Sequence, residues 1–164
     1  MQTKLISVAA LLLAATLSHA ADGKKAAASI PDNTPILMQA EVGSLDKRVE
    51  VAYVCDSQQG KRNVNAMYGI KDGETAVVQI KVGDQVTPGL WRVMNDTNGK
   101  KQNSYYGEGL TWITDKASPD TLTKANGKIL MQASKLDGGL PKGDQTILFK
   151  DCKVDSAATK KLNK

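Results

Sequence analysis

Few side chains in this sequence could carry out covalent chemistry: two cysteines, Cys55 and Cys152, and one histidine, His19. His19 lies in an N-terminal stretch that we expect to be removed. If the cysteines are paired, the rest of the chain has no imidazole base, no thiolate nucleophile and no His or Cys metal ligand. Ser-His-Asp and Cys-His catalysis and the usual zinc sites are then excluded. Because no group of carboxylates or lysines suggests catalysis either, we expect no enzyme activity, no cofactor and no metal.

The N-terminus predicts export. Residues 1–4 carry a basic charge, residues 5–17 form an apolar run, and Ser18-His19-Ala20 places small residues before a cleavage point. This is the pattern of a secretory signal peptide, and the apolar run is too short for a permanent membrane anchor. We therefore expect removal of residues 1–20 and no transmembrane segment. The product would lie in the periplasm, on the outer-membrane surface or outside the cell.

Each cysteine ends a stretch with the composition of a β-strand, Val49 to Cys55 and Thr146 to Cys152. In an oxidising compartment cysteines pair by default, and two free thiols are the alternative. We predict a Cys55–Cys152 disulfide that joins the first and last strands of one domain. Closing so long a loop stabilises a fold by roughly 4–5 kcal/mol in the chain-entropy model.

The charge of the chain predicts attraction to anionic surfaces. Loss of Lys4 with the signal peptide lowers the formal charge from +5 to +4. A basic exported protein is attracted to lipopolysaccharide, host glycans or acidic membranes, although solvated charges without a role are the alternative. Lys61-Arg62 and the tail lysines would matter only if they cluster with Lys100-Lys101 on one face. We expect no nucleic-acid partner.

From Lys47 onward, apolar residues alternate with polar ones at period two, as in half-buried strands. Asp72-Gly73 and Gly83-Asp84 are turn signals, and Pro88-Gly89 predicts an edge or a bulge. With no sustained helical period, this pattern predicts an antiparallel all-β sandwich or barrel. A disulfide between the first and last strands favours a closed sheet, so we expect an all-β fold, a small eight-stranded antiparallel barrel closed by one disulfide. The predicted strands are 49–55, 63–70, 76–82, 85–94, 104–107, 110–114, 128–134 and 145–152.

The barrel domain is predicted to span residues 47–153. Residues 21–46 form a flexible lead, in which 36–42 is apolar enough to dock as a short edge strand. Residues 154–164 form a lysine-rich tail that we expect to be frayed. Within the domain, a helical turn is expected from Ser118, and residues 138–143 have the glycine content of a loop.

The polar stretch from Asn98 to Glu108 is the leading candidate for a binding site. As a loop between short strands it would present lysines and tyrosines, and tyrosine offers a large contact area with few rotatable bonds. An ordinary hairpin with one tyrosine in the core is the alternative. The predicted contact residues are Asn98, Lys100, Lys101, Asn103, Ser104, Tyr105, Tyr106, Gly107 and Glu108.

The other aromatic residues fit a core better than a binding surface. Tyr53 and Tyr68 share strand faces with aliphatic residues, which predicts that they point inward. Trp91 and Trp112 also lie in strand patterns. We therefore assign both tryptophans to the core or the barrel ends rather than to sugar-binding platforms.

Several short motifs follow the order found in a known family. They are Val51-Ala-Tyr53-Val54-Cys55, Gln59-Gly60-Lys61, Tyr68-Gly69, Tyr106-Gly107-Glu108-Gly109 and Ile147-Leu-Phe-Lys-Asp-Cys152. Over residues 48–153 the chain resembles the neisserial adhesin complex protein family and, more distantly, the membrane-bound and periplasmic inhibitors of C-type lysozyme. The resemblance implies an eight-stranded antiparallel barrel with bridged cysteines, adhesion to host cells and inhibition of host lysozyme.

In those inhibitors a loop with a Ser-Gly-x-Arg-Tyr segment enters the lysozyme cleft, and a Lys-Gly pair follows downstream. Aligned on the tyrosine, this chain has Gln102-Asn103-Ser104-Tyr105-Tyr106, and Ile113-Thr114-Asp115 replaces the downstream pair. Tyr106, Gly107 and the position of the loop match. The resemblance thus implies an exported protein that blocks the cleft of C-type lysozyme with residues 98–108, with host-cell adhesion as a second role. The alternative is a host-cell adhesin or glycan-binding surface protein that does not inhibit lysozyme.

Overall fold

The computed structural model describes residues 37–164. The predicted signal peptide at 1–20 and residues 21–36 of the predicted lead lie outside the described residues. Within 37–164, no helix has the length and apolar composition needed to cross a bilayer.

The described chain forms antiparallel strands: β1 Lys47–Ser57, β2 Gly60–Lys71, β3 Glu74–Val82, β4 Gln85–Val86, β5 Leu90–Arg92, β6 Gln102–Gly107, β7 Leu110–Asp115, β8 Gly127–Asp137 and β9 Leu140–Val154. They form one sheet, in the order β2-β1-β9-β8-β7-β6-β5-β3-β4. A further pairing of β2 with β3 closes eight of these strands into a barrel, and β4 is an extra strand on β3. The predicted closed barrel is therefore confirmed. A 3₁₀ turn covers Leu122–Lys124, and helix α1 covers Ser156–Leu162.

The first and last strands are neighbours, with Tyr53 opposite Val154. Cys55 and Cys152 form the predicted disulfide, and both are 0% exposed. Period-two alternation explains the burial, because residues two apart on a strand share a face. Inward-facing residues of β1 to β3 that are buried include Val51, Tyr53, Val64, Ala66, Tyr68, Val78 and Ile80.

The predicted strand at 85–94 is divided into β4 and β5, as the Pro88-Gly89 signal indicates. Thr87 bridges the interruption: its backbone N–H donates to the Ile80 carbonyl oxygen at 2.9 Å, and its hydroxyl oxygen accepts from the Ile80 N–H at 2.9 Å. The side chain thus takes over a ladder hydrogen bond just before proline, which has no N–H to donate.

The expected loop at 138–143 is shorter in the structure. Strands β8 and β9 stay paired as far as Asp137 and Leu140, so only Gly138 and Gly139 form the turn. Their φ angles of 57° and 83° are those of a tight hairpin turn that glycine adopts without strain. Two adjacent glycines therefore extend the hairpin where the sequence suggested an irregular loop.

The expectation of a frayed tail is wrong. Asp155 caps α1 by accepting hydrogen bonds from the N–H groups of Ala157 and Ala158 at 3.0 and 2.9 Å. The buried Thr159 hydroxyl oxygen accepts from the Ala52 N–H at 3.0 Å. The tail docks because its side chains satisfy backbone groups of β1.

The described part of the lead, residues 37–46, also docks. Gln39 forms an antiparallel bridge with Val93, and the Met94 N–H donates to the Met38 carbonyl oxygen at 2.7 Å. The expected short edge strand is therefore reduced to one bridge beside β5.

An aromatic network fills one half of the barrel. The hydroxyl groups of Tyr53 and Tyr68 lie 3.0 Å apart, and Trp112 Nε1 donates to the Tyr68 oxygen at 3.0 Å. The Tyr105 hydroxyl donates to Thr75 Oγ1 at 2.8 Å. The core assignments of Tyr53, Tyr68 and Trp112 are confirmed. The buried Leu122 and Ala125 pack against this network, and we call this half the closed end.

We expect the chain's four tyrosines to stay neutral in the folded protein at pH values that ionise free tyrosine. Burial raises the pKa of Tyr53, Tyr68, Tyr105 and Tyr106 above the ordinary value of 10.0. The unfolded chain loses these protons above about pH 10, so the free energy of unfolding is unaffected below that pH and falls as the pH rises beyond it. Phenolate absorbance and circular dichroism should therefore change together in an alkaline titration. Phenolate formation near pH 10 with unchanged circular dichroism would contradict this expectation.

Candidate functional site

The predicted binding residues do not form one loop. Asn98, Lys100 and Lys101 are exposed in a loop of residues 94–101 at the closed end. Glu108 is exposed in the turn that follows β6, at the other end of the barrel. Strand β6 has six residues, so these two groups are roughly 20 Å apart at about 3.3 Å per residue. The interpretation of 98–108 as a single presenting loop is wrong, because most of it is a central strand.

The predicted contact residues between those ends are buried: Asn103, Ser104, Tyr105, Tyr106 and Gly107. The Asn103 side-chain amide donates to the Ala117 carbonyl oxygen at 2.8 Å. The Tyr106 hydroxyl donates to the Gly139 carbonyl oxygen at 2.5 Å, so the β8–β9 turn covers it. These side chains position neighbouring segments and are not accessible to a partner in this conformation.

Asp96 holds the 94–101 loop in place. One carboxylate oxygen accepts from the Asn98 N–H at 2.7 Å, and the other accepts from the Ser104 hydroxyl at 2.5 Å and from Gln102 Nε2 at 3.2 Å. Burial raises the pKa of the Asp96 carboxyl, but these hydrogen bonds together outweigh it and hold the pKa below its ordinary value. Asp96 is therefore ionised at neutral pH, and the loop has one braced conformation.

Three exposed lysines lie together at this end. Lys100 and Lys101 belong to the braced loop, and the Lys116 N–H donates to the Lys101 carbonyl oxygen at 3.3 Å. We call Lys100, Lys101 and Lys116 the basic end cluster. Across residues 37–164, no ion pair within 4.0 Å includes any of the three. Their charges therefore face solvent uncompensated by an ion-pair partner.

Lys116 was missed by the sequence analysis. The two-residue turn at Glu108-Gly109 sets the hairpin register, with Gln102 opposite Asp115, which brings Lys101 and Lys116 side by side. The Glu108-Gly109 turn is visible in the sequence, and counting outward from it along both strands would have placed Lys116 beside Lys101. Lys61, by contrast, pairs with Asp56 at 2.8 Å near the other end of the barrel and does not join the cluster.

Glu108 projects from the β6–β7 turn with a φ of 46°, followed by Gly109 at 83°. Two positive φ values define the tight turn that suits a two-residue hairpin. Glycine takes this conformation freely, whereas a glutamate with positive φ is uncommon. The turn thus holds an exposed carboxylate at its tip in a conformation that other residue types adopt more easily.

Residues 49–154 match the family described as the ACP-like domain. The chain belongs to this family. Among solved structures, the Adhesin Complex Protein from Neisseria meningitidis is similar, with 23% sequence identity and a TM-score of 0.48 over 65% of this chain and 99% of that chain. No curated protein matches the sequence. The resemblance to adhesin complex proteins is confirmed, and the resemblance to lysozyme inhibitors stays a prediction.

The matched range of this ACP-like domain runs from β1 to the end of β9. It includes the 94–101 loop and Lys116, so the whole basic end cluster lies inside the family's range. Helix α1 and the docked residues 37–46 lie outside it. The candidate site is therefore part of the barrel and not of its added segments.

Proposed function

We propose that this ACP-like domain is the binding part of an exported, non-enzymatic, adhesin-like protein, and that the basic end cluster attaches it to anionic glycans of a host-cell surface. The observation that carries the proposal is the group of three lysines that form no ion pair with any residue of 37–164, two of them on a loop braced by Asp96. Family membership supports the adhesin-like role. The predicted signal peptide supports export.

The arrangement suits an extended, charged partner. Exposed lysines gain little from internal contacts in water, but several of them on one end raise the local concentration of an anionic ligand. Met94, the first residue of the loop, and Met38, which is hydrogen-bonded to it, are both exposed and offer adaptable apolar contacts. Since charges are screened over about 8 Å at physiological ionic strength, binding should weaken as salt is added.

A charge-reversal experiment tests this proposal. The double variant Lys100→Glu/Lys101→Glu should bind host cells about tenfold more weakly or worse, since each lysine near an anionic surface contributes about 1 kcal/mol. Lys81→Glu/Lys135→Glu makes the same change of net charge at exposed strand positions and should bind nearly as the wild type does. Flow cytometry with labelled protein measures both. Equal binding by all three proteins would overturn the assignment, and equal loss in both variants would show that only net charge matters.

Inhibition of C-type lysozyme is the second candidate function. The observation that favours it is Glu108, a carboxylate exposed at a hairpin tip with a φ of 46°, since backbone strain often accompanies a functional site. A projecting carboxylate suits the cleft of a cationic partner. If the protein inhibits lysozyme, the β6–β7 turn would enter the lysozyme cleft, and residues 98–108 would not enter it as one loop.

A turbidity assay with lysozyme and the purified protein tests this second candidate. Glu108→Asn removes the charge and keeps a residue type that tolerates positive φ. Asp72→Asn is a matched control, because Asp72 is an exposed acid in another hairpin turn with a φ of 49°. Inhibition should be lost in the first variant and kept in the second. No inhibition by micromolar wild-type protein would remove lysozyme as a partner.

A further inference from the structure

The end of the barrel opposite the basic end cluster contains a cavity of about 900 Å³. The β1–β2 turn, residues 82–83 and 85–88, and the central part of β9 line it. Its size lies within the ~300–1,000 Å³ typical of small-molecule sites, which often occupy the mouths of β-barrels. The aromatic network and Leu122 belong to the packed core of the closed end, whereas this cavity lies at the open end.

The lining of the cavity combines apolar residues with neutral polar side chains from the β1–β2 turn, Gln85, Thr87 and strands β8 and β9. Its apolar lining includes Ile80, Val82, Leu110, Leu130, Leu148 and Phe149. A β-bulge contributes to this lining: Leu130 lies opposite Phe149, but the next residue, Met131, lies opposite Ile147. Leu148 is the extra residue, and both Leu148 and Phe149 pack toward the core. In a regular strand these two neighbours would face opposite sides, so the bulge adds an apolar side chain to the cavity.

One cation stands at the mouth. Arg62 is the only charged residue among those that line the cavity. It precedes Val64 by two residues on β2, so it shares the inward face. Its Nη2 donates to Gln59 Oε1 at 2.6 Å, and it belongs to none of the ion pairs found within residues 37–164. The guanidinium therefore has donors left for an anion.

The rim carries two large apolar side chains that nothing in the described chain covers. Val86 is 53% exposed and Ile147 is 44% exposed, and both line the opening. Exposed apolar groups beside an apolar cavity typically mark a binding site. They extend the apolar surface from the cavity to its entrance, past Arg62.

We propose that this open end binds a single-chain amphiphile with an anionic head, such as a fatty acid. The acyl chain lies along the apolar side chains of the lining, and the carboxylate accepts hydrogen bonds from the Arg62 guanidinium at the mouth. The apolar side chains suit an acyl chain, and the single cation suits a head with one negative charge, whereas a nucleotide carries several negative charges. The site is separate from the basic end cluster and does not depend on the adhesin-like role.

Isothermal titration of the purified protein with dodecanoate, below its micelle concentration, tests the proposal. We expect saturable binding of one ligand per chain. Decanoate should bind about tenfold more weakly, because it buries two fewer methylene groups. Decyl maltoside, which has a neutral head, should bind more weakly than decanoate.

Variants of the cavity locate the site. Arg62→Gln should weaken dodecanoate binding about three- to tenfold, the range expected for a partly solvated charged hydrogen bond, and should not change decyl maltoside binding. Arg48→Gln is the matched control, since Arg48 is exposed at the start of β1, and should bind as the wild type does. Val82→Phe narrows the cavity and should weaken every amphiphile, with thermal melting used to verify folding.

Three outcomes would overturn the proposal. The first is no saturable binding of dodecanoate. The second is binding that Arg62→Gln and Arg48→Gln leave equally unchanged. The third is a dimer, detected by light scattering, that Ile147→Glu dissociates while dodecanoate binds neither form, because a second copy of the chain would then cover the open end.

Discussion

Replacing both cysteines, in Cys55→Ser/Cys152→Ser, should lower the free energy of unfolding by about 4–5 kcal/mol. The bridge spans 97 residues of sequence, so its loss restores a large amount of conformational freedom to the unfolded chain. The replacement also buries two hydroxyl groups at positions that are 0% exposed, which adds a desolvation cost. Domains are typically stable by only about 5–15 kcal/mol. If the wild-type protein lies near the lower end of this range, the variant should be largely unfolded at 37 °C.

Urea unfolding, followed by circular dichroism, measures this effect. Wild-type protein reduced in denaturant and refolded in the presence of a thiol reductant provides a control that breaks the bridge without any substitution or added group. It should lose a similar amount of stability. A loss below about 1 kcal/mol in both samples would mean that strand pairing alone closes the barrel.

Trp112→Ala should destabilise the protein by about 3–5 kcal/mol, the usual cost of removing a large buried aromatic side chain. Trp112 is 0% exposed, its ring meets Tyr53 edge-on at 5.7 Å between centroids, and its Nε1 donates to Tyr68. The backbone beside the ring leaves no room for a further side chain, because a Cβ added at Gly127 would clash with a Trp112 ring carbon. The substitution therefore opens a cavity and leaves a buried hydroxyl with one partner fewer.

Trp91→Ala is the matched control, because Trp91 is only half-buried on the short strand β5. Its loss should cost less than half as much in the same urea experiment. Equal costs for the two tryptophans would contradict the placement of Trp112 in the packed aromatic network inside the barrel.

The strands with clear alternation, and the disulfide, could be predicted from the sequence. In β1, β2 and β3, inward positions carry aliphatic and aromatic residues, so the period is visible. Strand β6 was mistaken in part for a loop because its buried positions include Asn103 and Ser104. Buried polar residues are uncommon unless they are hydrogen-bonded, and the partners, Ala117 and Asp96, are visible only in the folded chain.

The docked C-terminal helix, the basic end cluster and the cavity could not be predicted, because each depends on contacts between segments that are distant in the sequence. Helix α1 has seven residues, too few to show an amphipathic period, and Thr159 docks it through a hydrogen bond to Ala52. The basic end cluster required the β6–β7 register that places Lys116 beside Lys101. The bulge at Leu148 interrupts the alternation of β9, so period-two reasoning could not reveal the cavity.

Recognition of an anionic partner by the three lysines of the closed end can be tested by titrating isotope-labelled protein with a sulfated oligosaccharide and following amide chemical shifts in NMR spectra. We expect saturable shifts in the 94–101 loop and at Lys116 that disappear at high salt. Shifts confined to the open end around Arg62, or no saturable shifts at low salt, would contradict it.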